Sequence, residues 1–343
     1  MYPLDQGRWG PTVRISHLRD ELSTLVDLDV VHGYRGPRRG ALLRYAFSGR
    51  LRGLGGIYVE SASFLPAELD IAFLALARTL RIPVITYVRD AYQLFDEYGP
   101  AAGLRGRIGA WLFRPAMRAL GAVSTQLAFP TRGLAAAVLG GSSADAMLLP
   151  PGSPTPVEIE RRPTAKRLLF VGDARLPAQG AVRLLSAVEV TRGRGVDVGL
   201  TIVCRPGQEP PGPHPEWLEL AHAEGDEIHA LLPDILATVI PRPRSAYNDL
   251  ALPIKLFDYL SYGRPLLVTD CVEQAMVVRD ADAGIVTADG VADMAEGMAR
   301  IASAPPEQLD HWSGCARTAA DAASWGLRAV AIVHLFEDAD GGR

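Results

Sequence analysis

The stretch LALPIKLFDYLSYGRPLLVTD, residues 250–270, has the pattern of a short helix followed by a buried strand. Pro253 suits the first turn of a helix, because its missing N–H would have no helical partner there. Gly263 suits the position just past the helix end, where a left-handed residue terminates it. The sequence therefore predicts a helix of about ten residues, followed by the strand PLLVTD. Lys255, one of only two lysines in the 343 residues, lies in the first turn of that helix.

Short apolar strands alternate with helical segments on both sides of this stretch. In the first half the predicted strands are VDLDVVHGY (26–34), GIYVES (56–61), IPVITYV (82–88), AVSTQLAFP (122–130) and AMLLP (146–150). In the second half they are RLLFVGD (167–173), VGLTIVC (198–204), ILATVIP (235–241), PLLVTD (265–270) and AGIVTA (283–288). Apolar strands separated by helices are typical of parallel sheets covered on both faces. The pattern predicts an α/β protein of two Rossmann-like, doubly wound domains that face a central cleft.

The domain boundaries follow from a proline-rich polar stretch, PPGSPTPVEIERRPTAK, which separates the two series of strands. We predict an N-terminal domain over 1–152, a linker over 153–166 and a C-terminal domain over 167–318. The remaining helix, 319–343, is expected to return to the N-terminal domain. The chain opens on YPLDQGRWGP, which is typical of the loop that follows a first strand. Either the first strand is short and lies elsewhere, or the chain starts later than its relatives.

Composition points to a globular protein. Hydrophobic residues make up 48% and charged residues 22% of the chain, which allows two buried cores. The longest apolar runs fall well short of the roughly 18 residues of a membrane-spanning helix, and the N-terminus lacks the pattern of a signal peptide. Three widely spaced cysteines favour reduced thiols over disulfides or a zinc site. The sequence therefore predicts a cytoplasmic protein.

The net charge of −4 is distributed unevenly. Residues 1–150 contain 17 arginines and 12 acidic residues, whereas the remainder contains 18 basic and 27 acidic residues. Two stretches, 35–53 and 104–118, mix arginines with Leu, Tyr, Phe and Trp, which suits an anionic membrane surface or an acidic acceptor. Peripheral contact with the inner membrane face is one interpretation, and arginine-rich surface helices without such a partner are the other. Nucleic acid is disfavoured, because no recognisable nucleic-acid-binding module accompanies the charge.

Lys255 and Asp258 lie three positions apart on the predicted helix. A cation in the first turn opposes the helix dipole, and this conflict disappears if an anion binds there. Asp258 follows on the same face, where a carboxylate can accept both hydroxyls of a ribose. The alternative is a solvent-exposed ion pair between the two residues, worth roughly a few tenths of a kcal/mol. The residues alone leave both interpretations open.

Residues 251–267 resemble the signature of family 4-like retaining glycosyltransferases of the GT-B fold, ALP-x-K-[LI]-F-E-Y-x-x-x-G-[KR]-P-[VL]-[VL]. Other segments are similar to further parts of that family: RLLFVGDARLPAQGAVRLLSAV (167–188), GDEIHALLPDILATVIP (225–241), YPLDQGRWGPTVRISHL (2–18) and PVITYVRDAY (83–92). The resemblance implies an acceptor-binding N-terminal domain and a C-terminal domain that binds a nucleotide-sugar donor. It also implies transfer of a sugar from a nucleotide-diphosphate sugar to an acceptor hydroxyl, with retention at the anomeric carbon.

The same resemblance implies roles for individual residues at the donor. Lys255 matches the residue that holds the diphosphate, and Asp258 replaces the family's ribose-binding glutamate. Arg175 lies near the position of a second phosphate-binding cation. Gln179 stands where the family has a lysine, so Lys255 and Arg175 form the implied diphosphate pair. The other implied donor residues are Gly172, Asp173, Leu252, Pro253 and Ile254.

The N-terminal domain contributes further implied contacts. Gly7, Trp9 and Gly10 belong to the glycine-rich first loop, where Gly10 is expected at the donor phosphate and Gly7 and Trp9 at the sugar or acceptor. An ordinary turn is the alternative. Arg89 stands where the family has a histidine and is followed by Asp90, an implied catalytic residue. An arginine at that position suits an acidic sugar or acceptor.

The implied chemistry needs neither a metal nor a cofactor. A phosphate oxygen of the leaving group can take the acceptor's proton, and fixed cations stabilise the charge that develops on the diphosphate. The Asp-x-Asp triplets at 27–29, 280–282 and 338–340 resemble a metal-binding motif, but chance explains them better. The first acid of the family's E-x7-E pattern falls on Leu250, with Asp249 beside it.

Two other functions remain open. A nucleotide-sugar epimerase of the same fold would use the same phosphate site, but it needs acid and base groups, for which Asp90 and Glu60 are the plausible candidates. A catalytically silent partner protein is favoured by the absent first strand, by Leu250 and by Arg89.

Overall fold

The computed structural model of the chain describes residues 10–33, 35–61, 68–95, 104–141 and 146–341. The chain forms two compact units, one of Met1–Pro151 with Trp325–Arg343 and one of Gly152–Ser324. Each unit has its own parallel sheet and its own hydrophobic core. The predicted class, two parallel α/β domains, is therefore confirmed.

The first unit is a small α/β sheet domain. Up to the domain boundary its described elements are α1 (Gly10–Leu25), α2 (Arg35–Phe47), β1 (Ile57–Glu60), α3 (Glu68–Thr79), β2 (Val84–Tyr87), α4 (Leu104–Val123), β3 (Gln126–Phe129), α5 (Arg132–Leu139) and β4 (Met147–Leu148). The four strands are parallel and lie in the order β1-β2-β3-β4. All four residues of β2 are buried, because this strand lies between two others and under the helices.

Residues 26–33 form no strand, so the prediction of one over 26–34 is wrong. Val26 and Val30 are exposed, while Val31 is half-buried against the core. Asp29 accepts a hydrogen bond from Tyr45 and forms a 2.8 Å ion pair with Arg50 at the surface. These contacts of Asp29 keep the segment at the surface, and the preference of valine for strands is too weak to form one there.

The second unit is a six-stranded doubly wound domain. Its described elements are β5 (Arg167–Val171), α6 (Ala181–Gly193), β6 (Gly199–Val203), β7 (Leu218–Ala221), β8 (Ile235–Ile240), α7 (Lys255–Ser261), β9 (Leu266–Thr269), α8 (Val272–Asp280), β10 (Gly284–Thr287), α9 (Val291–Ala302) and α10 (Pro306–Ala322). The parallel sheet has the order β10-β9-β8-β5-β6-β7, in which the edge strand β7 was not predicted. The chain runs outward from β5 to β7 and returns with β8 on the other side of β5. Ligands of doubly wound sheets bind at such a reversal, at the carboxyl ends of the strands.

The last helix, α11 (Trp325–Gly341), belongs to the first unit and packs against α1. Residues 153–166, predicted as a linker, lie within the second unit, which extends to Ser324. Ser153, for example, donates a hydrogen bond to the carbonyl of Phe257 at 2.9 Å. None of the described helices combines the length and the apolar character that a membrane crossing requires.

Arg264 ties the end of α7 to the start of β8. Its buried guanidinium has no carboxylate partner within the described residues and instead donates to main-chain carbonyls, those of Ile159, Leu232, Ile235 and Gly263. Arginine suits this position because it offers five N–H donors in a rigid plane.

Candidate functional site at the carboxyl ends of β5 and β8

α7 lies against the end of β5 and begins later than predicted. It starts at Lys255, two residues after Pro253, and contains seven residues. At the start of the helix, the N–H of Leu256 donates to the carbonyl of Pro253 at 3.1 Å, which makes a tighter turn than an α-helix. Gly263 has a φ of +58° and follows the helix end, as predicted.

Lys255 places its ammonium at the carboxyl end of β5. Nζ donates to the carbonyl oxygen of Val171 at 2.9 Å and to Oε1 of Gln179 at 2.6 Å. Both acceptors are neutral, so neither of these contacts compensates the charge. Burial of the side chain, together with the like charge of Arg242, lowers the pKa of Lys255 to about 7 against the opposing effect of Asp258. A buried cation with neutral partners is suited to binding an anion.

Asp258 lies one turn further along α7 than Lys255. Within the part of the chain that the structure describes, its carboxylate has no hydrogen bond and no ion pair, including with Lys255. The solvent-exposed ion pair considered above is therefore not formed. Burial raises the pKa of Asp258 to about 7, and the charge of Lys255 limits the rise. A ligand that donates hydroxyl groups would satisfy this carboxylate.

Gln179 and Gly180 shape the loop that follows β5. The amide oxygen of Gln179 accepts from Lys255, and a lysine at position 179 could not do so because an ammonium only donates. Gly180 has a φ of +77°, and a Cβ on it would lie 1.8 Å from the carbonyl oxygen of Pro241. The glycine therefore lets this loop touch the end of β8 and brings Gln179 to the ammonium.

Replacing Gly180 by alanine is expected to destabilise the protein by about 2–4 kcal/mol, because main-chain atoms must move and the backbone is left-handed. Gly207→Ala is the matched control, since Gly207 has a φ of +85° but no described atom within 4 Å of the place that the added methyl group would take. That control should lose only about 1 kcal/mol, from the backbone alone. Urea unfolding of both variants measures the difference. Equal losses would show that the contact with Pro241 is unimportant.

Gly172 and the residues before α7 complete the surroundings of the ammonium. A Cβ on Gly172 would lie 3.0 Å from Nζ of Lys255, so a glycine keeps the space beside the ammonium open. Leu252, Pro253 and Ile254 are half-buried and lead directly into the helix. The structure thus brings the implied donor residues on both sides of Lys255 together.

Arg242 is a cation of this site that the sequence did not identify. It follows β8, is buried, and donates to the carbonyl of Ala251 at 3.2 Å and to the side-chain oxygen of Asn248. Its charge contributes to the lowered pKa of Lys255, so the two cations act on the same region. Its position directly after a strand at the reversal point was the signal that could have found it.

Arg175 and Asp249 are engaged with other groups. The exposed guanidinium of Arg175 donates to the carbonyl of Gly207 at 3.2 Å, beyond the end of β6. The backbone N–H of Arg175 donates to Oδ1 of Asp173 at 2.9 Å, so Asp173 stabilises the loop itself. Asp249 forms an ion pair with Arg244 at 2.7 Å. Arg242 is the arginine whose charge acts on the ammonium of Lys255, and the implied phosphate contact of Arg175 stays a prediction.

Among the comparisons with known proteins, only the comparison with solved structures gives matches. No family model and no curated protein matches the sequence. The UDP-forming α,α-trehalose-phosphate synthase of Burkholderia xenovorans, in complex with glucose-6-phosphate, is 13% identical with a TM-score of 0.58, over 93% of this chain and 80% of that one. The corresponding protein of Burkholderia vietnamiensis is 12% identical with a TM-score of 0.58, over 95% and 83%. TarM is 11% identical with a TM-score of 0.52, over 74% and 50%. The fold is GT-B.

In the N-terminal domain of this GT-B chain, the predicted catalytic and acceptor residues form ion pairs. Arg89 donates to Oδ2 of Asp90 at 2.9 Å, immediately after β2. Arg14 of α1 donates to Oε1 of Glu60, the last residue of β1, at 3.0 Å. Both carboxylates considered for acid–base chemistry are thus held by arginines.

The glycine-rich first loop is placed only in part. Gly10 is the first residue of α1, so it lies in a helix and not in the loop that the sequence predicted. Gly7 and Trp9 lie outside the described residues. The implied contacts of this segment with a donor or an acceptor stay predictions.

Two groups of potential metal ligands occur among the described residues. Each has ligand atoms within 4.8 Å of one another, and they are Cys204 with Glu209 and His222, and Asp282 with His311 and Cys315. Burial raises the pKa of Cys204 to about 11, which keeps this thiol protonated and weakens it as a ligand. In the second group, Asp282, from the triplet 280–282, is hydrogen-bonded to His311 at 2.8 Å at the surface. Neither group includes a residue that contacts Lys255.

Proposed function

We propose that the protein is a retaining glycosyltransferase that moves a sugar from a nucleotide-diphosphate sugar to an acceptor hydroxyl. The observation that carries this proposal is the ammonium of Lys255, which lies at the reversal point of a doubly wound sheet with two neutral acceptors. A diphosphate is the chemical group that such a site suits best, because it offers the negative charge that these acceptors do not. The GT-B fold and the resemblance of residues 251–267 to the family 4 signature support the same assignment.

In the proposed reaction the bond between the anomeric carbon and the β-phosphate oxygen breaks, and its electron pair stays on that oxygen. The acceptor oxygen forms the new bond on the same face of the sugar. Its proton passes to a phosphate oxygen of the leaving group. Lys255 and Arg242 stabilise the charge that develops on the diphosphate, and cations fixed before the reaction act most strongly in this way.

Asp258 is proposed to bind the ribose of the donor. Its carboxylate is half-buried and without a described partner, so two ribose hydroxyls would supply the hydrogen bonds that it lacks. The side chain is one methylene shorter than the family's glutamate, and α7 or a bridging water must make up that distance. Gly172 and Asp173 would lie along the diphosphate, next to the residues that lead into α7.

The proposed reaction uses neither a metal nor a cofactor. Lys255 and Arg242 supply the positive charge that a divalent cation supplies in metal-dependent transferases. Arg89 and Asp90 remain the proposed contacts for the sugar or the acceptor. An epimerase would need a free acid and a free base, and the ion pairs of Asp90 with Arg89 and of Glu60 with Arg14 make these carboxylates poor candidates.

A thermal-shift screen of nucleoside diphosphates tests the proposal. The similar trehalose-phosphate synthases are described as UDP-forming, so UDP is the first ligand to examine, followed by GDP and dTDP. A ligand at 100 times its dissociation constant is expected to stabilise the protein by about 2.7 kcal/mol. Incubation of the matching nucleotide sugar without acceptor then separates hydrolysis or transfer from epimerisation. A chain that binds none of these nucleotides would be the catalytically silent partner instead.

A further inference from the structure

Three neighbouring helices of the N-terminal domain present an unusual outer surface. α3 packs against α2 on one side and against α4 on the other. The outward side chains of α2 and α4 combine large apolar groups with arginines, and neither helix contains an acidic residue. We call this surface the arginine–aromatic face and define it by exposed side chains, namely Arg39, Leu43, Arg44, Phe47, Leu76, Ile108, Arg107, Trp111, Arg114 and Arg118.

On α4 the aromatic and basic groups share one side of the helix. Trp111 is 76% exposed. Arg107 lies four residues before it, Arg114 three residues after it and Arg118 seven residues after it. These spacings place all four side chains on one helical face. Ile108 is exposed beside them, while the opposite side of the helix is buried in the core. Trp111 therefore belongs to the exposed face of α4 and not to the core of the domain.

On α2 the same arrangement is repeated. Phe47 is 86% exposed, and Leu43 lies one turn before it on the same face. Arg39 and Arg44 lie on either side of this apolar pair and are both exposed. An exposed phenylalanine and an exposed tryptophan, each flanked by arginines, require an explanation that isolated surface apolar residues do not.

The neighbouring acidic group is removed from the surface. Asp70 of α3 is buried and forms an ion pair with the buried Arg38 at 2.7 Å. This pair neutralises charge inside the domain, so Asp70 adds no negative charge to the outer surface of α2 and α4. Asp29 lies against α2 at the surface and is paired with Arg50, so the exposed arginines of the arginine–aromatic face outnumber the acidic side chains described beside it.

We propose that the arginine–aromatic face binds the surface of an anionic lipid bilayer. Arginines attract anionic head groups, while Trp, Phe, Leu and Ile side chains enter the boundary between head groups and acyl chains. A soluble polyanion would account for the arginines but not for Phe47 and Leu43, which need an apolar medium. The donor site lies in the other domain, so this proposal stands independently of the proposed reaction.

The test uses the full chain and sedimentation with vesicles, without any nucleotide. Vesicles of phosphatidylglycerol mixed with phosphatidylcholine should carry the protein down, whereas pure phosphatidylcholine vesicles should not, and added salt should weaken binding. The double variant Arg107→Gln/Arg114→Gln should bind about 30-fold more weakly, since each basic residue near an anionic surface contributes about 1 kcal/mol. Phe47→Ala/Trp111→Ala should also lose binding, and its tryptophan emission should no longer shift to shorter wavelength with vesicles.

The charge-matched control is Arg194→Gln/Arg300→Gln, which changes two exposed arginines of the C-terminal domain and should bind as the wild type does. All these positions are at the surface, and circular dichroism checks that each variant folds. Absence of wild-type binding to the anionic vesicles would overturn the proposal. Binding that depends on the arginines but not on Phe47 and Trp111, and that heparin abolishes, would assign the face to a soluble polyanion instead.

Discussion

Lys255→Met is expected to abolish nucleoside diphosphate binding and to lower turnover about 1,000-fold, because it removes a fixed charge from the point where the leaving group becomes negative. Methionine keeps the length and the apolar stem of the side chain, so the loop after β5 and the start of α7 should retain their structure. Calorimetry with the nucleotide identified by thermal shift measures the binding loss. The matched control is Lys166→Met, which removes the only other lysine, an exposed one that pairs with Asp197. Wild-type affinity in Lys255→Met would sink the assignment of the site.

The lowered pKa of Lys255 gives the same prediction a pH dependence. The free protein loses this proton above pH 7, and a bound diphosphate needs it, so affinity should fall as the pH rises from 7 to 9. Lys255→Arg keeps its charge over that range and should flatten the profile of affinity against pH.

The same lowered pKa affects the stability of the protein without ligand. Between pH 7 and about 10 the unfolded chain keeps the proton on Lys255 and the folded protein does not, so the contribution of Lys255 to the free energy of unfolding rises with pH in this range. Lys255→Met should consequently stabilise the free protein at pH 7, by roughly 1–3 kcal/mol.

Arg14→Met is expected to destabilise the N-terminal domain by about 3–5 kcal/mol. The guanidinium is 0% exposed, donates to Glu60 at 3.0 Å and to Tyr58 at 3.3 Å, and lies 3.8 Å from the centroid of the Tyr87 ring. Burial alone would lower the pKa of Arg14, but the charge of Glu60 and the neighbouring tyrosines raise it overall, so Arg14 stays charged. Removal of the arginine leaves the carboxylate of Glu60 largely buried without its cation.

Urea unfolding and hydrogen exchange of the β1 and β2 amides measure this loss and place it in the N-terminal domain. Arg19→Met is the matched control on the same helix, because Arg19 forms an exposed pair with Asp20 and should contribute less than about 0.5 kcal/mol. Adding Glu60→Gln to Arg14→Met should restore part of the stability, since it removes the buried charge. If the two arginine variants lose the same stability, the buried pair does not hold α1 to the sheet.

The sequence predicted five of the six strands of the C-terminal domain, because each of these is a short apolar run, and it missed the edge strand β7, where the residues after Leu218 are exposed or half-buried. It failed at 26–33, where valines suggested a strand but the neighbouring aspartates keep the segment at the surface. The difference is tertiary, since only the folded domain shows that this segment does not pair with β1, the strand at the edge of the sheet. Hydrophobic pattern thus predicted elements that are buried and misjudged one that is not.

The sequence predicted those residues of the candidate site that belong to one local motif, but not the residues that the fold brings to it. Lys255 and Asp258 were identified from their place in one segment, whereas Arg242 came into the site through the order of the strands. Gln179 looked like a missing lysine in the sequence, and in the structure it is the acceptor that orients Lys255. Partners of this kind depend on which strand ends are neighbours, and no local pattern contains that information.

The lowered pKa of Lys255 also leaves part of this amine unprotonated, and therefore nucleophilic, near neutral pH. A lysine with the usual pKa of about 10.4 is neutral at pH 7 in only roughly one molecule in several thousand. An acylating reagent at neutral pH would modify Lys255 faster than an ordinary lysine if it can enter the loop beside Gly172, and the N-terminal α-amine, whose usual pKa is about 7.7–8.0, would react as well. The same amine would be shielded whenever a diphosphate holds its proton. The native chain therefore contains a reporter for occupancy of its own site, with no engineered label.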